Sequence, residues 1–300
     1  MNNVQGIVLV IFAMAAFTVE DMFIKTLSAT LPVGQILIGI GLGSGALFAA
    51  LAVSRGHALF ARPAWQPLLL ARAGAEAIAA IAFASALSLV DISVVAAVFQ
   101  VTPLAITMGA AVFLGEQVGW RRWSAITLGF VGVMLIIRPG QADFDLAVLL
   151  PIVSVIAVAA RDLMTRRISV EVPSTIVSFQ GFAALVPAGA LLLLATDGAF
   201  LQMSGVEGVQ LGVAVLFGAL AYYCIVTAMR VAEASAVTPY RYTRLLFSLA
   251  VGVFVFGERP DALTLAGAGL IIGTGLYTFV REQRLARRAR TQAASTAALR

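Results

Sequence analysis

Ten apolar runs, each about long enough to cross the hydrocarbon of a bilayer, take up nearly all of this chain and leave few other ways to fold it. They cover residues 4–28, 32–54, 66–89, 92–114, 120–138, 146–166, 174–196, 209–231, 234–256 and 261–280. A hydrocarbon core about 30 Å thick takes about 20 residues of helix. In lipid every backbone N–H and C=O needs a partner, which a helix supplies from within itself. Only 12% of the 300 residues are charged against 61% hydrophobic, whereas a globular domain carries about a quarter charged. The sequence therefore predicts an all-α polytopic membrane protein with ten transmembrane helices. Its connections are too short to hold a soluble domain. Met1-Asn-Asn-Val-Gln lacks the basic start of a secretory signal, so the first run is expected to remain as a span.

The first and sixth runs share a pattern. Phe17-Thr-Val-Glu-Asp-Met-Phe-Ile-Lys25 returns as Val158-Ala-Ala-Arg-Asp-Leu-Met-Thr-Arg166, with Asp162 standing 141 residues after Asp21 and Arg166 the same distance after Lys25. Leu27-Ser-Ala-Thr-Leu-Pro32 and Ile168-Ser-Val-Glu-Val-Pro173 keep that offset. Val90-Asp-Ile-Ser93 with Ala232-Glu-Ala-Ser235, and Leu114-Gly-Glu116 with Phe256-Gly-Glu258, keep one of 142. The chain reads as a duplication, residues 1–140 and 141–280, followed by a basic tail over 281–300 expected to fray on the cytoplasmic surface. Five spans per copy is an odd number, so the second copy enters the bilayer inverted. Such repeats give two related conformations around a site near the midplane. Inversion also sends Asp21 and Asp162 towards opposite faces.

Basic residues fix the expected orientation. With the N-terminus inside, Arg55, Arg62, Arg72, Arg121, Arg122, Arg166, Arg167, Arg230, Arg281, Arg284, Arg287, Arg288, Arg290 and Arg300 fall in cytoplasmic segments. Only Lys25, Arg138 and Arg259 lie at outer ends. Both termini are thus expected in the cytoplasm. The same distribution argues for lipid rather than nucleic acid as the partner of the net charge of +5.

Cys224 and His57 are the chain's single cysteine and histidine, too little for a disulfide, a zinc site or a Ser/His nucleophile. No cofactor and no enzymatic reaction is expected. Gly39-Ile-Gly-Leu-Gly-Ser-Gly45 and Gly267-Ala-Gly-Leu-Ile-Ile-Gly-Thr-Gly275 follow no strand and lack a Gly-Lys-Ser/Thr ending. They read as close-packing helix faces, which argues against ATP as the energy source.

With its two five-span halves, the Thr102-Pro103 to Gly115-Glu116 segment closing span four, and the counterpart ending at Gly257-Glu258, the chain resembles the ten-helix EamA-type members of the drug/metabolite transporter superfamily. The resemblance covers nearly the whole chain. It implies a carrier of small metabolites in a bacterial inner membrane, working by alternating access, and within the superfamily it looks most like exporters of aromatic and apolar amino acids. An uptake carrier for another metabolite or a drug-like cation, or a channel, are the competing readings; nothing in the chain demands a protein partner. One departure is Leu245, which takes the place of Pro103 at an offset of 142 while Pro239 lies earlier, so spans four and nine are expected to bend at different depths.

Ionisable groups inside spans cost about 2.5–3.5 kcal/mol each on insertion scales and usually face a cavity or a partner. Glu20, Asp21, Glu76, Arg161, Asp162, Arg241 and Arg244 are therefore the candidates for a substrate pathway. Asp21 with Lys25, and Asp162 with Arg166, are either plain i, i+4 helix pairs or gates at opposing ends. Glu76 has Arg72 one turn before it and, alternatively, Arg241 or Arg244 across a cavity. An α-helical span nine would place Tyr240 and Arg244 on one face. Gln100 and Thr102 offer polar groups near a bend at Pro103, with a second bend expected at Pro239. One of Tyr222 and Tyr223 is expected to face the interior, and Phe83, Phe99, Phe179 and Trp65 are candidate apolar walls. Asp91 with Ser93, and Glu233 with Ser235, stand where helix N-termini favour them.

Overall fold

The computed structural model describes residues 3–116, 118–139, 145–165, 167–168, 172–232 and 237–298. In the first half these form α1 (Asn3–Leu27), α2 (Val33–Ser54), α3 (Pro67–Leu89), α4 (Ile92–Phe99), α5 (Thr102–Leu114) and α6 (Trp120–Ile137). The second half holds α7 (Leu150–Thr165), α8 (Ser174–Ala195), α9 (Gly205–Val231), α10 (Thr243–Phe254) and α11 (Ala262–Ala298). Among the described residues nine stretches are long and apolar enough to span a membrane, with α4 and α5 counting as one. The ninth predicted span is not a continuous helix: a 3-10 turn over Thr238–Tyr242 leads into the 12-residue α10. At the other end α11 runs unbroken for 37 residues to Ala298, so the basic segment after the last span is helical.

The packing has the symmetry of a duplication. α2 packs on α8 and α6 on α11, pairs that exchange into themselves when the halves are swapped, while α1 on α9 is exchanged with α7 on α3. Lipid gives helices no hydrophobic reason to associate, so close contact has to come from shape. At the α2–α8 crossing Gly34 and Gly189 face each other, and a Cβ on either would strike the other's carbonyl. Gly132 and Gly267 do the same for α6 and α11, where an added Cβ at Gly132 would stand 2.8 Å from the Gly267 oxygen. The stripe from Gly39 to Gly45 is a packing face too. Gly41 lies against the Phe182 carbonyl of α8, and Gly39 and Gly43 against Leu211 and Val215 of α9.

The Leu-Gly-Glu and Phe-Gly-Glu motifs are helix ends. Gly115 and Gly257 take the left-handed conformation, φ +68° and +67°, which glycine adopts without a Cβ penalty. The next amide reaches back six residues, Glu116 N–H to Ala110 O and Glu258 N–H to Gly252 O, and so satisfies a carbonyl of the last turn. Both interrupted spans also break at matching places. α5 and α10 start at Thr102 and Thr243, 141 residues apart, after an interruption at Gln100–Val101 in span four and a 3-10 turn over Thr238–Tyr242 in span nine. The break in span four lies at Gln100–Val101, ahead of Pro103, which sits in the first turn of α5 where its missing N–H costs nothing. Pro239 likewise opens the 3-10 turn rather than kinking a helix.

Outside the spans, Arg138 at the end of α6 binds Asp261 ahead of α11, and that contact holds the Asp261 carboxyl well below the usual carboxylate range.

Candidate functional site

Where the halves meet, a cavity of about 350 Å³ opens between α1, α3, α7, α8, α9 and the two interrupted spans. Most residues expected on a pathway line it: Glu20, Asp21, Glu76, Phe83, Phe99, Gln100, Thr102, Pro103, Arg161, Asp162, Tyr222, Arg241 and Arg244. Its volume lies at the lower end of small-molecule pockets, about 300–1,000 Å³.

On one wall Asp21, buried on α1, binds Arg244 of α10. The guanidinium Nη2 donates to Oδ2 at 2.7 Å and Oδ1 at 3.0 Å, and Nε reaches Oδ2 at 3.3 Å. Three rings surround that guanidinium, with centroids 5.1 Å (Phe17), 5.3 Å (Phe83) and 5.4 Å (Phe99) from its carbon. Phe83 and Phe99 also meet edge to face. A cation ringed by aromatic faces is held by their quadrupoles as well as by its counter-ion.

On another wall Arg161 of α7 serves two carboxylates. Its Nη1 donates to Glu76 Oε1 at 2.7 Å, and its Nε and Nη2 both meet Asp162 Oδ1 at 2.8 Å. Glu76 is also met by Arg72 Nη2 at 3.2 Å. Arg72 itself is buried and donates to Thr165 Oγ1 and the Val177 carbonyl. Gln100 Nε2 donates to the Arg241 carbonyl at 3.5 Å, tying the two broken spans together.

Several expectations change here. Asp21 pairs with Arg244 rather than Lys25, because Lys25 points to the chain end of α3, donating to the carbonyls of Leu87 (3.2 Å) and Val90 (2.6 Å). Arg166, the expected partner of Asp162, lies outside the described residues, as do Glu233 and Ser235. Asp21 and Asp162 both line one cavity. Glu76 goes to Arg161 and Arg72, not to Arg241 or Arg244. Tyr240 is 36% exposed and off the cavity, whereas Tyr242 lines it. A 3-10 turn of three residues per turn changes the phase that an α-helix would give. Tyr223 points away, 42% exposed. Trp65 stacks on Phe60 in the connection before α3, and Phe179 is not among the lining residues.

At the Lys25 end contacts cross between the halves. The Glu258 carboxylate accepts from Ile92 N–H (2.7 Å), Ser93 N–H (3.1 Å) and Ser93 Oγ (2.6 Å), capping α4, and stands 3.9 Å from Lys25 Nζ. Asp91 occupies the cap position without making a capping bond. Partial desolvation, with Glu258 beside it, holds its carboxyl above the usual range. At the other end a second cavity of about 190 Å³ includes Arg55, Ser174, Thr175, Tyr223 and Thr227. Ser178 lines both spaces, and at their boundary Phe48 stacks on Phe182 while Tyr222 meets both edge to face, with centroids 5.5–5.8 Å apart.

Phe17, Ser178, Phe182 and Tyr242 were not among the residues expected at the site. Phe17 and Tyr242 carried a signal, since each lies within four residues of a charged position on the same span. Among the described residues no three of His, Cys, Asp and Glu gather into a metal-binding set.

A cavity lined by charged and aromatic side chains lies between two halves that pack as exchanged copies inside an apolar bundle. The EamA-like transporter family matches residues 4–138 and again 145–280, and the chain belongs to that family, within the drug/metabolite transporter superfamily. It is a multi-pass membrane protein of that family, and it spans 61% of the length of the S-adenosylmethionine uptake transporters it matches. It is 30% identical over 182 residues to the S-adenosylmethionine uptake transporter of Rickettsia felis, covering 61% of each chain. It is 32% identical over 222 residues to the riboflavin transporter of Rhizobium johnstonii, covering 74% of this chain and 71% of that one. The Pseudopaline exporter CntI of Pseudomonas aeruginosa matches at 23% over 89% of this chain and 93% of its own. A solved structure described only as "Crystal structure of protein" superposes with a TM-score of 0.61 over 92% of this chain and 98% of that one, at 18% identity, a likeness of fold alone.

Proposed function

We propose that this chain is a secondary carrier for small metabolites that join a flat ring to an amino-carboxylate group, and that it works by alternating access. Aromatic amino acids, the class expected from the sequence, and S-adenosylmethionine both fit that description. The observation that carries the reading is the make-up of the cavity: charged groups of both signs in the same small space as Phe17, Phe83, Phe99 and Phe182. Aromatic faces suit a ring, and charges suit an ionised head group.

Residues 1–140 and 141–280 would rock as two bodies about this site. The tie of Lys25 and Glu258 at one end and the second cavity at the other support such a cycle. The counts of basic residues favour both termini in the cytoplasm of a bacterial inner membrane. The relatives named above include one for uptake and one for export; we favour export.

Counterflow in proteoliposomes tests the reading, with labelled phenylalanine, leucine, S-adenosylmethionine and riboflavin as probes. Saturable exchange of phenylalanine or S-adenosylmethionine is expected. Exchange of riboflavin alone would reject the amino-carboxylate class, and conductance without saturation would reject a carrier. Efflux from loaded cells exceeding uptake decides direction.

A further inference from the structure

Two of the cavity's charged groups are left over once the ion pairs are drawn. Asp21 is engaged by Arg244, and Asp162 and Glu76 by Arg161, with Arg72 adding to Glu76. Among the described residues neither Glu20 nor the Arg241 guanidinium has a counter-ion within ion-pair distance, although both line the cavity. They are not partners of each other. The charges that act on Glu20 are Asp21 and Arg244, and those that act on Arg241 are Asp162, Arg161, Arg244 and Tyr242. Arg244, common to both sets, is itself taken by Asp21.

The backbone holds these two groups where they are. Glu20 sits opposite Gly218 of α9, where any Cβ would collide with the carboxylate, so the glycine makes room for it. Arg241 lies in the 3-10 turn, its carbonyl receiving the Gln100 amide, and its side chain is exposed to the cavity. A charge inside a membrane protein without a partner in the chain is costly and is supplied with one by whatever enters the cavity.

We infer that Glu20 and Arg241 are the specificity-determining poles of the site, Glu20 receiving the substrate's ammonium and Arg241 its carboxylate. The inference rests on the carrier reading above and narrows it. The remaining ionisable groups build the walls. Arg241 presents a planar fork that suits a carboxylate, and Glu20, with acceptor oxygens only when ionised, suits a cationic donor.

Three probes that differ by one group each test it on the purified full chain: phenylalanine, phenylalaninamide, which lacks the carboxylate, and 3-phenylpropionate, which lacks the ammonium. Affinity is read from protection against thermal unfolding in detergent. The wild type should favour phenylalanine over both others. Arg241→Gln should weaken phenylalanine and 3-phenylpropionate roughly tenfold or more, the loss of one charge-assisted bond, and leave phenylalaninamide unchanged. Glu20→Gln should weaken phenylalanine and phenylalaninamide by a similar factor and spare 3-phenylpropionate. Arg241→Lys should retain part of the carboxylate preference. Without ligand, both neutral variants should melt no lower than wild type, since neither orphans a partner. Equal weakening of all three probes, or a wild type that does not prefer phenylalanine, overturns the inference. If counterflow of S-adenosylmethionine or riboflavin persists in that case, the carrier reading stands while this assignment falls.

Discussion

At equivalent positions α1 carries Glu20-Asp21 and α7 carries Arg161-Asp162. In α1 the aspartate finds its cation on α10, in the other half of the molecule, and the residue before it is left free. In α7 the aspartate is held by the residue before it, and that arginine also reaches Glu76 on α3. One difference of charge sign, Glu20 against Arg161, accounts for both arrangements: an acid beside an acid repels it and cannot hold it, whereas a base can. The duplicated backbone therefore supplies two similar places for an acid, and the neighbour decides whether the bond is made within a helix or across the interface. The α1 pair is one-to-one and walled by three aromatic rings, while the α7 network shares its charges among Arg72, Glu76, Arg161 and Asp162.

That contrast orders the effects of substitution. Arg244→Ala should cost the most, about 3–5 kcal/mol of unfolding free energy in detergent, because it leaves Asp21 buried and unpaired. Counterflow should be lost while insertion into the membrane is kept. Arg161→Ala should cost less, about 1–3 kcal/mol, since Glu76 keeps Arg72; an equal or greater loss than in Arg244→Ala would break the comparison. Glu258→Ala removes the cap of α4 and its link to Lys25, with an expected loss of about 0.5–2 kcal/mol by denaturant titration. Phe83→Leu sharpens the picture of the aromatic wall: it should weaken Arg244's setting by about 0.5–1 kcal/mol and be nearly silent when Arg244 is already Ala, which a double-mutant cycle reads directly. Tyr240→Phe, off the cavity, should stay within about 0.5 kcal/mol of wild type with unchanged counterflow.

The chain's own order fixed a good deal of this. Ten apolar runs, the 141-residue repeat and the odd number of spans per copy are properties of sequence because lipid imposes length and apolarity on each span separately, with no need of its neighbours. The charged residues that the bilayer penalises were visible for the same reason, and Asp21, Glu76, Arg161, Asp162, Arg241 and Arg244 all line the cavity. Pairing was not visible. Lys25 stands one turn from Asp21 in the sequence, yet it turns to the carbonyls ending α3, and only the approach of α10 brings Arg244 to the aspartate. The 3-10 turn that faces Tyr242 inward and Tyr240 outward, the bridge from Glu258 to α4 and the burial of Arg72 share that origin. Which cation meets which anion is decided by distances between helices far apart in the chain, and those distances exist only once glycine crossings such as Gly34 on Gly189 have drawn the two halves together.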